Sequence, residues 1–217
     1  MKILAIEFSS DQRSVALVEG DRVLGTAVES ATRSTPAMEL ISRALAEGRI
    51  EREDIGCLAV GIGPGSYTGI RAAIAIAQGW QLALGQDHLQ LLGIDSATCL
   101  AEEARQKQWS GKLNIVIDAQ REELYLARYE VGAANVRQIA PLRLAPIQEA
   151  RSLAAGEMIA GPEATKWFAD GRILFPGAAT LGRLASRRSD YVPGQKLEPI
   201  YLRETSFVKA PPPRTFS

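Results

Sequence analysis

Gly61-Ile-Gly-Pro-Gly-Ser-Tyr-Thr-Gly-Ile-Arg71 decides the fold through what flanks it. The run from Ile55 to Ile62 is unbroken and apolar, which suits a strand buried on both faces of a parallel sheet. From about Thr68 to Leu84 the apolar residues recur at helical spacing. Strand, glycine-rich loop and helix therefore follow one another. A loop in this position offers free backbone N–H groups and the positive end of a helix dipole, so Gly63, Gly65, Ser66 and Thr68 are candidates for holding an anion. The loop is not a Walker A motif: it has no Gly-Lys-Ser/Thr ending, and Pro64 removes a donor that a phosphate cradle needs. The alternative is a loop whose glycines permit close packing.

Working outward, residues 2 to 8, 13 to 19 and 22 to 29 form β-prone runs. They are separated by Ser9-Ser10-Asp11 and by Glu19-Gly20-Asp21, which have tight-turn chemistry, so an antiparallel meander is expected. Ser34-Thr35-Pro36 opens a helix that carries Met38, Ile41 and Leu45 on one face and ends near Gly48. Leu89 to Ile94 reads as a further strand, and Asp95 caps a third helix running to about Trp109. Three hairpin-linked strands followed by alternating helices and strands resemble a ribonuclease-H-like lobe of the actin, Hsp70 and sugar-kinase superfamily, an α/β fold. From Lys112 the pattern restarts, with Leu113 to Asp118 and Leu124 to Tyr129 as strands. Ile147 to Ala155 and Ala178 to Arg188 look helical, and Met158 to Ala160 looks like a short strand. The expected division is a first lobe over 1–110 and an abbreviated second lobe over 111–217, with an extended, proline-rich tail from Lys209 to Ser217.

Composition narrows the function. Among 217 residues, 46% are hydrophobic, enough for a sizeable core, and Lys plus Arg equals Asp plus Glu at 25 each. No global field draws such a chain onto nucleic acid or an acidic membrane. The N-terminal apolar run is too short for a signal peptide or a membrane span, so a cytoplasmic location is expected. Cys57 and Cys99 lie among apolar residues, as small buried hydrophobes do. His88 is the one histidine. A His-based zinc site cannot be assembled within the chain, and no Gly-x-Ser-x-Gly elbow accompanies His88 as part of a hydrolase triad. No catalytic residue and no metal ligand is assigned.

The helix after the loop is apolar on two sides. At about 100° per residue, Ile70, Ala73, Ile74, Ala77 and Leu84 share one face, while Ala72, Ala75, Ile76, Gly79, Leu82 and Ala83 share the opposite one. One face can lie on the sheet of its own lobe. The other, kept low by Ala75, Gly79 and Ala83, is expected to dock a partner, with Met38 and Ile41 of the preceding helix beside it, the alternative being that the second lobe covers it.

Two further segments could carry chemistry. Glu7, Ser9 and Ser10 lie in the first turn, where nucleotide-using members of the superfamily place phosphate donors and an acidic residue near a hydrated metal. Asp118 ends the first strand of the second lobe. Glu7 and Asp118 facing each other would be paired carboxylates for metal binding or general-base work; otherwise each simply caps its strand.

Ile3-Leu-Ala-Ile-Glu-Phe-Ser-Ser, the Gly61 to Arg71 loop, Ile117-Asp-Ala and Glu198-Pro-Ile-Tyr-Leu-Arg203 together resemble the TsaB (YeaZ) family. The resemblance spans nearly the whole chain. It implies a non-catalytic subunit of the machinery that makes threonylcarbamoyladenosine beside the anticodon of tRNAs reading codons that begin with A. In that family the protein pairs with its paralogue TsaD, which carries the metal-binding histidines and the transfer step, and a small ATPase, TsaE, joins the pair. Pairing uses the helices of the first lobe, members alone often form homodimers through the same surface, and tRNA is met through the complex. No cofactor is expected to bind tightly to this chain alone, with ATP or ADP at the boundary of the complex. Glu7 stands where aspartate is usual, Arg33-Ser34 where many members have His-Ser or His-Thr, and Gln120 where an arginine is usual. A self-sufficient small-molecule kinase or ATPase of the superfamily is the rival reading, with Glu7 and Asp118 on Mg²⁺ and phosphate.

Overall fold

The computed structural model describes residues 1–30, 35–153 and 156–203. The tail from Lys209 to Ser217 and the Arg33-Ser34 pair lie outside these residues. The first half alternates three hairpin strands, β1 (Lys2–Glu7), β2 (Arg13–Glu19) and β3 (Arg22–Glu29), with α1 (Ala37–Gly48), β4 (Ile55–Gly61), α2 (Tyr67–Leu84), β5 (Gln90–Ile94) and α3 (Ser96–Gln106). The second half contains β6 (Gly111–Asp118), β7 (Glu123–Val131), β8 (Val136–Pro146), α4 (Ile147–Leu153), β9 (Met158–Gly161), α5 (Ala164–Trp167), β10 (Arg172–Ile173) and α6 (Ala178–Ala185).

Two five-stranded sheets result, ordered β3-β2-β1-β4-β5 and β10-β9-β6-β7-β8. In each, an antiparallel meander is extended by two parallel strands, β4 and β5 on β1, and β9 and β10 on β6. The same topology occurs twice, in keeping with two ribonuclease-H-like lobes. The meander of the first sheet is the expected one. In the second sheet β8 is an addition: its side chains are mostly exposed or half-buried, so it lacks the apolar alternation that marks a strand in a sequence.

The strand period separates the first core into two layers. Leu4 and Ile6 face one way, with Leu40, Ile41, Ala44 and Leu45 of α1 and Ile70, Ala73, Ile74 and Ala77 of α2. Ile3 and Ala5 face the other way, against Cys99 of α3 and Ala178, Leu181 and Ala185 of α6. Each such buried leucine or isoleucine contributes about 1.5–3 kcal/mol. The opposite side of α3, with Ala97, Leu100 and Ala104, covers Leu113, Ile115 and Ile117 of the second sheet. The outer face of that sheet lies under α4 and α5, where Val116, Leu126 and Ile159 pack against Ala150 and Ala164. Helix α3 is thus the filling between the sheets, with α6 beside it on the first sheet.

This arrangement corrects the expected boundary at 110/111. Helix α6 packs on the first sheet, where Ala178 N donates to Ser14 Oγ at 2.9 Å. Val192 N then bonds Leu91 O at 2.9 Å, and Leu197 enters the first core. The chain returns to the first lobe because α6 has an apolar face and the far side of the first sheet is the apolar surface left to cover. No helix among the described residues is long and apolar enough to cross a membrane.

Candidate functional site

Helix α2 starts at the glycine-rich loop. Ser66 caps it, its side chain accepting from Gly69 N at 3.4 Å. The loop is filled by the chain itself. A Cβ at Gly65 would stand 2.0 Å from Ser9 O, and one at Gly69 would stand 1.9 Å from Phe8 O. These glycines let the β1–β2 turn lie directly on the loop, where Ser66 N donates to Ser9 O at 2.7 Å and Ile70 N to Ser66 O at 3.0 Å. Ser9 Oγ accepts from Ser96 Oγ at 2.8 Å, and Ser96 N donates to Gly63 O at 2.8 Å. With Pro64 lacking a donor and the amides of Ser66, Gly69 and Ile70 engaged within the protein, the residues present do not fit a triphosphate in this loop. Close packing is the use the loop's geometry serves.

Glu7 is fully buried. Ser9 N donates to its Oε1 at 2.7 Å, while Oε2 has no partner and presses against Gly61. Burial raises its pKa to about 7, the two hydrogen bonds from Ser9 opposing that rise and the charge of Asp95 adding to it. Asp118 is turned elsewhere: Lys166 Nζ lies 3.0 Å from Oδ2 and Gln120 N donates to Oδ1 at 2.7 Å. The two do not form a carboxylate pair: each accepts a backbone N–H of its own turn. The extra methylene of Glu7 folds its carboxylate back onto its own turn, and Asp118 alone reaches the cleft between the lobes.

That cleft nonetheless gathers most of the candidate loop residues. Ser9, Ser10, Gly65, Ser66, Thr68 and Asp118 border a cavity of about 380 Å³, together with Glu163, whose carboxyl is raised by burial. Beside it is a cavity of about 670 Å³ lined by Tyr67, Tyr125, Tyr201, Gln120, Arg121 and Arg203, among others. Of these, the sequence marks Gln120 as a departure from the family pattern, Tyr67 within the glycine-rich loop, and Tyr201 and Arg203 within Pro199-Ile-Tyr-Leu-Arg203, which reads only as a family signature until the fold carries it to the cleft. There Arg203 donates to Ala119 O at 2.8 Å and pairs with Glu123 at 2.7 Å.

The second group of candidates is on α2. Ala72, Ala75, Ile76, Gly79, Leu82 and Ala83 all lie on its outward side: Ala75, Gly79, Leu82 and Ala83 are exposed, Leu82 at 88%, and Ala72 and Ile76 are half-buried. A Cβ at Gly79 would meet nothing within 4 Å. Met38 is exposed beside this helix pair, but Ile41 is a correction. It is fully buried with Leu40, Ala44 and Leu45 under the first sheet, because the single apolar stripe of α1 is spent on its own core. His88 is at the surface, its Nε2 2.9 Å from Glu53 O.

The family model described as "TsaD: tRNA N6-adenosine threonylcarbamoyltransferase" matches residues 28–192. A tRNA threonylcarbamoyladenosine biosynthesis protein TsaB from Escherichia coli (strain K12) is 29% identical over 223 residues, covering 94% of this chain and 95% of that protein. TsaB of Bacillus subtilis (strain 168) is 28% identical over 143 residues, 65% of this chain and 60% of that protein. The solved structure of YeaZ from Pseudomonas aeruginosa superposes with a TM-score of 0.78 at 25% identity, covering 93% of this chain and 99% of that one. Loop, helix and twofold sheet topology thus have their counterpart in known proteins, and the chain belongs to the TsaB (YeaZ) family, within the wider family that the TsaD model describes.

Proposed function

We propose that this chain serves tRNA threonylcarbamoyladenosine synthesis in the cytoplasm as a non-catalytic scaffold and activator. The outward face of α2 docks TsaD, TsaE joins the pair, and the complex modifies the adenosine beside the anticodon in tRNAs reading codons that begin with A. ATP or ADP belongs at the boundary of that complex, and without TsaD the same face closes a homodimer. The observation that carries this reading is the exposed stripe of Ala75, Gly79, Leu82 and Ala83 on a helix whose opposite side is already spent on the core. A low apolar surface of this kind lets a partner helix approach closely. The test is capture of TsaD by Gly79→Leu and Ala75→Leu. Both side chains would project into open solvent, so the monomer should keep its melting temperature while capture is lost. Wild-type capture in both variants would refute the docking face.

A further inference from the structure

The outward stripe of α2 is bounded by charge at both ends, and the charge has one sign. Arg71 is the one charged residue in the helix and is exposed, in line with Ala75, Gly79 and Leu82 on the turns that follow. Its guanidinium stacks on Tyr67, 4.9 Å from the ring centroid, and donates to the Tyr67 hydroxyl. At the other end Arg52, in the short turn before β4, lies 5.8 Å from the ring centroid of Trp80 on the flank of α2. Arg49 joins Arg52 in lining a cavity of about 400 Å³ beside the end of α1. All three arginines are exposed, and none has an ionic partner among the described residues. The acids nearby do not neutralise them: Asp54 is paired with Lys2 at 3.5 Å, Glu47 accepts from Thr26 N at 2.7 Å, and Glu51 is the one acid lining the cavity, against two cations. Stacking on an aromatic face fixes a guanidinium and leaves N–H groups along its edge for a carboxylate.

Resting on the docking reading above, we propose that Arg71 and Arg52 select the occupant of this face: a helix of a different protein, apolar along its centre and carrying a carboxylate near each end. Arg71 and Trp80 are about 14 Å apart along the helix axis, which sets the spacing of the two carboxylates at roughly two and a half turns. A second copy of this chain cannot supply them from its own α2, which has no acid. Whether two copies of α2 lie parallel or antiparallel, guanidinium meets guanidinium, because both ends are cationic. Like charges weaken the self-pairing and opposite charges strengthen the foreign one, so the same two residues act on both sides of the choice.

The test is the affinity of the full chain for TsaD in about 50 mM and about 500 mM salt, with the double variants Arg71→Glu/Arg52→Glu and Arg71→Lys/Arg52→Lys and the single variant Gly79→Leu beside the wild type. At low salt the glutamate pair should weaken binding at least tenfold and the lysine pair should lose less, while wild-type affinity falls as salt rises. Both arginines are exposed, so these variants should melt with the wild type. Sedimentation of the chain alone should show self-association no stronger at low salt than at high salt. The proposal is overturned if the glutamate pair binds TsaD as the wild type does at low salt, if the lysine pair binds as poorly as the glutamate pair, if wild-type affinity for TsaD rises with salt, or if a self-dimer tightens as salt falls. Gly79→Leu separates this proposal from the reading beneath it. Wild-type capture by Gly79→Leu removes the docking face and charge selection with it, whereas lost capture in Gly79→Leu alongside full affinity in the glutamate pair removes charge selection alone.

Discussion

Replacing Glu7 with glutamine should stabilise the protein, and by an amount that depends on pH. Glu7 is 0% exposed, and one carboxylate oxygen has no hydrogen-bond partner. Folding moves its pKa from 4.5 to about 7. The folded state therefore holds the proton more tightly than the unfolded state. Stability from this group is fully present below pH 4.5, declines as pH rises through the interval to about 7, and levels off above it. At 1.36 kcal/mol per tenfold change, the loss amounts to about 3 kcal/mol. Glutamine copies the protonated acid: it keeps an acceptor for Ser9 N and carries no charge. Urea unfolding of the two proteins from pH 4.5 to pH 8 should give equal midpoints at the acid end. At pH 8 the variant should be ahead by about 1–3 M, given a urea dependence of about 1–3 kcal/mol per molar. A variant no more stable than the wild type at pH 8 would refute the account of Glu7 as a buried, uncompensated carboxylate.

Three substitutions probe the helix that follows. Gly69→Ala sets a methyl 1.9 Å from Phe8 O, so the first turn must separate from the loop; the cost should exceed about 2 kcal/mol, read as a lower melting temperature. Gly79→Ala meets open space in an exposed helix interior and should raise stability by about 0.5–1 kcal/mol in the same assay. Gln81→Met keeps the volume but strands Leu89 O and Gly194 N, which the buried amide holds at 2.9 and 2.8 Å; a loss of about 2–4 kcal/mol is expected by chemical denaturation.

The first lobe was legible because its elements carry local signals. Ser9-Ser10-Asp11 and Glu19-Gly20-Asp21 turn as their chemistry demands, Asp95 caps α3 through Thr98 N at 2.8 Å, and the two faces of α2 divide between core and solvent as the 3.6-residue period requires. What could not be read depends on contacts distant in sequence. The apolar face of α6 says that something must cover it, and only the fold shows that Val18 does so from the first sheet, close enough that a Cβ at Gly182 would stand 2.6 Å from it. Periodicity likewise put Ile41 on an apolar stripe without revealing that α1 has no second one. For Glu7, the sequence showed an acid at a strand end but not which way its longer side chain turns. Tyr201 and Arg203 become cleft residues only after the chain has crossed back.

That return braces α2, the helix proposed to dock a partner. Behind α2, Gln78 Nε2 donates to Gly194 O at 2.8 Å and to Leu197 O at 3.3 Å, while Gln81 Oε1 accepts from Gly194 N. The same segment continues through Ile200 N to Ile62 O at 2.9 Å, passes Tyr67 at the head of the helix, and ends on the second lobe through Arg203. The helix is thus held on its inner side by the sheet and along its flank by a segment more than a hundred residues distant in sequence. Binding need not order it, so the entropic cost of immobilising a mobile element is already met by folding. A low face of alanine and glycine makes few strong individual contacts, and such a face gives useful affinity only when it is presented preformed. On the docking reading proposed above, the strap formed by residues 193–203 would contribute to partner binding by keeping α2 in place.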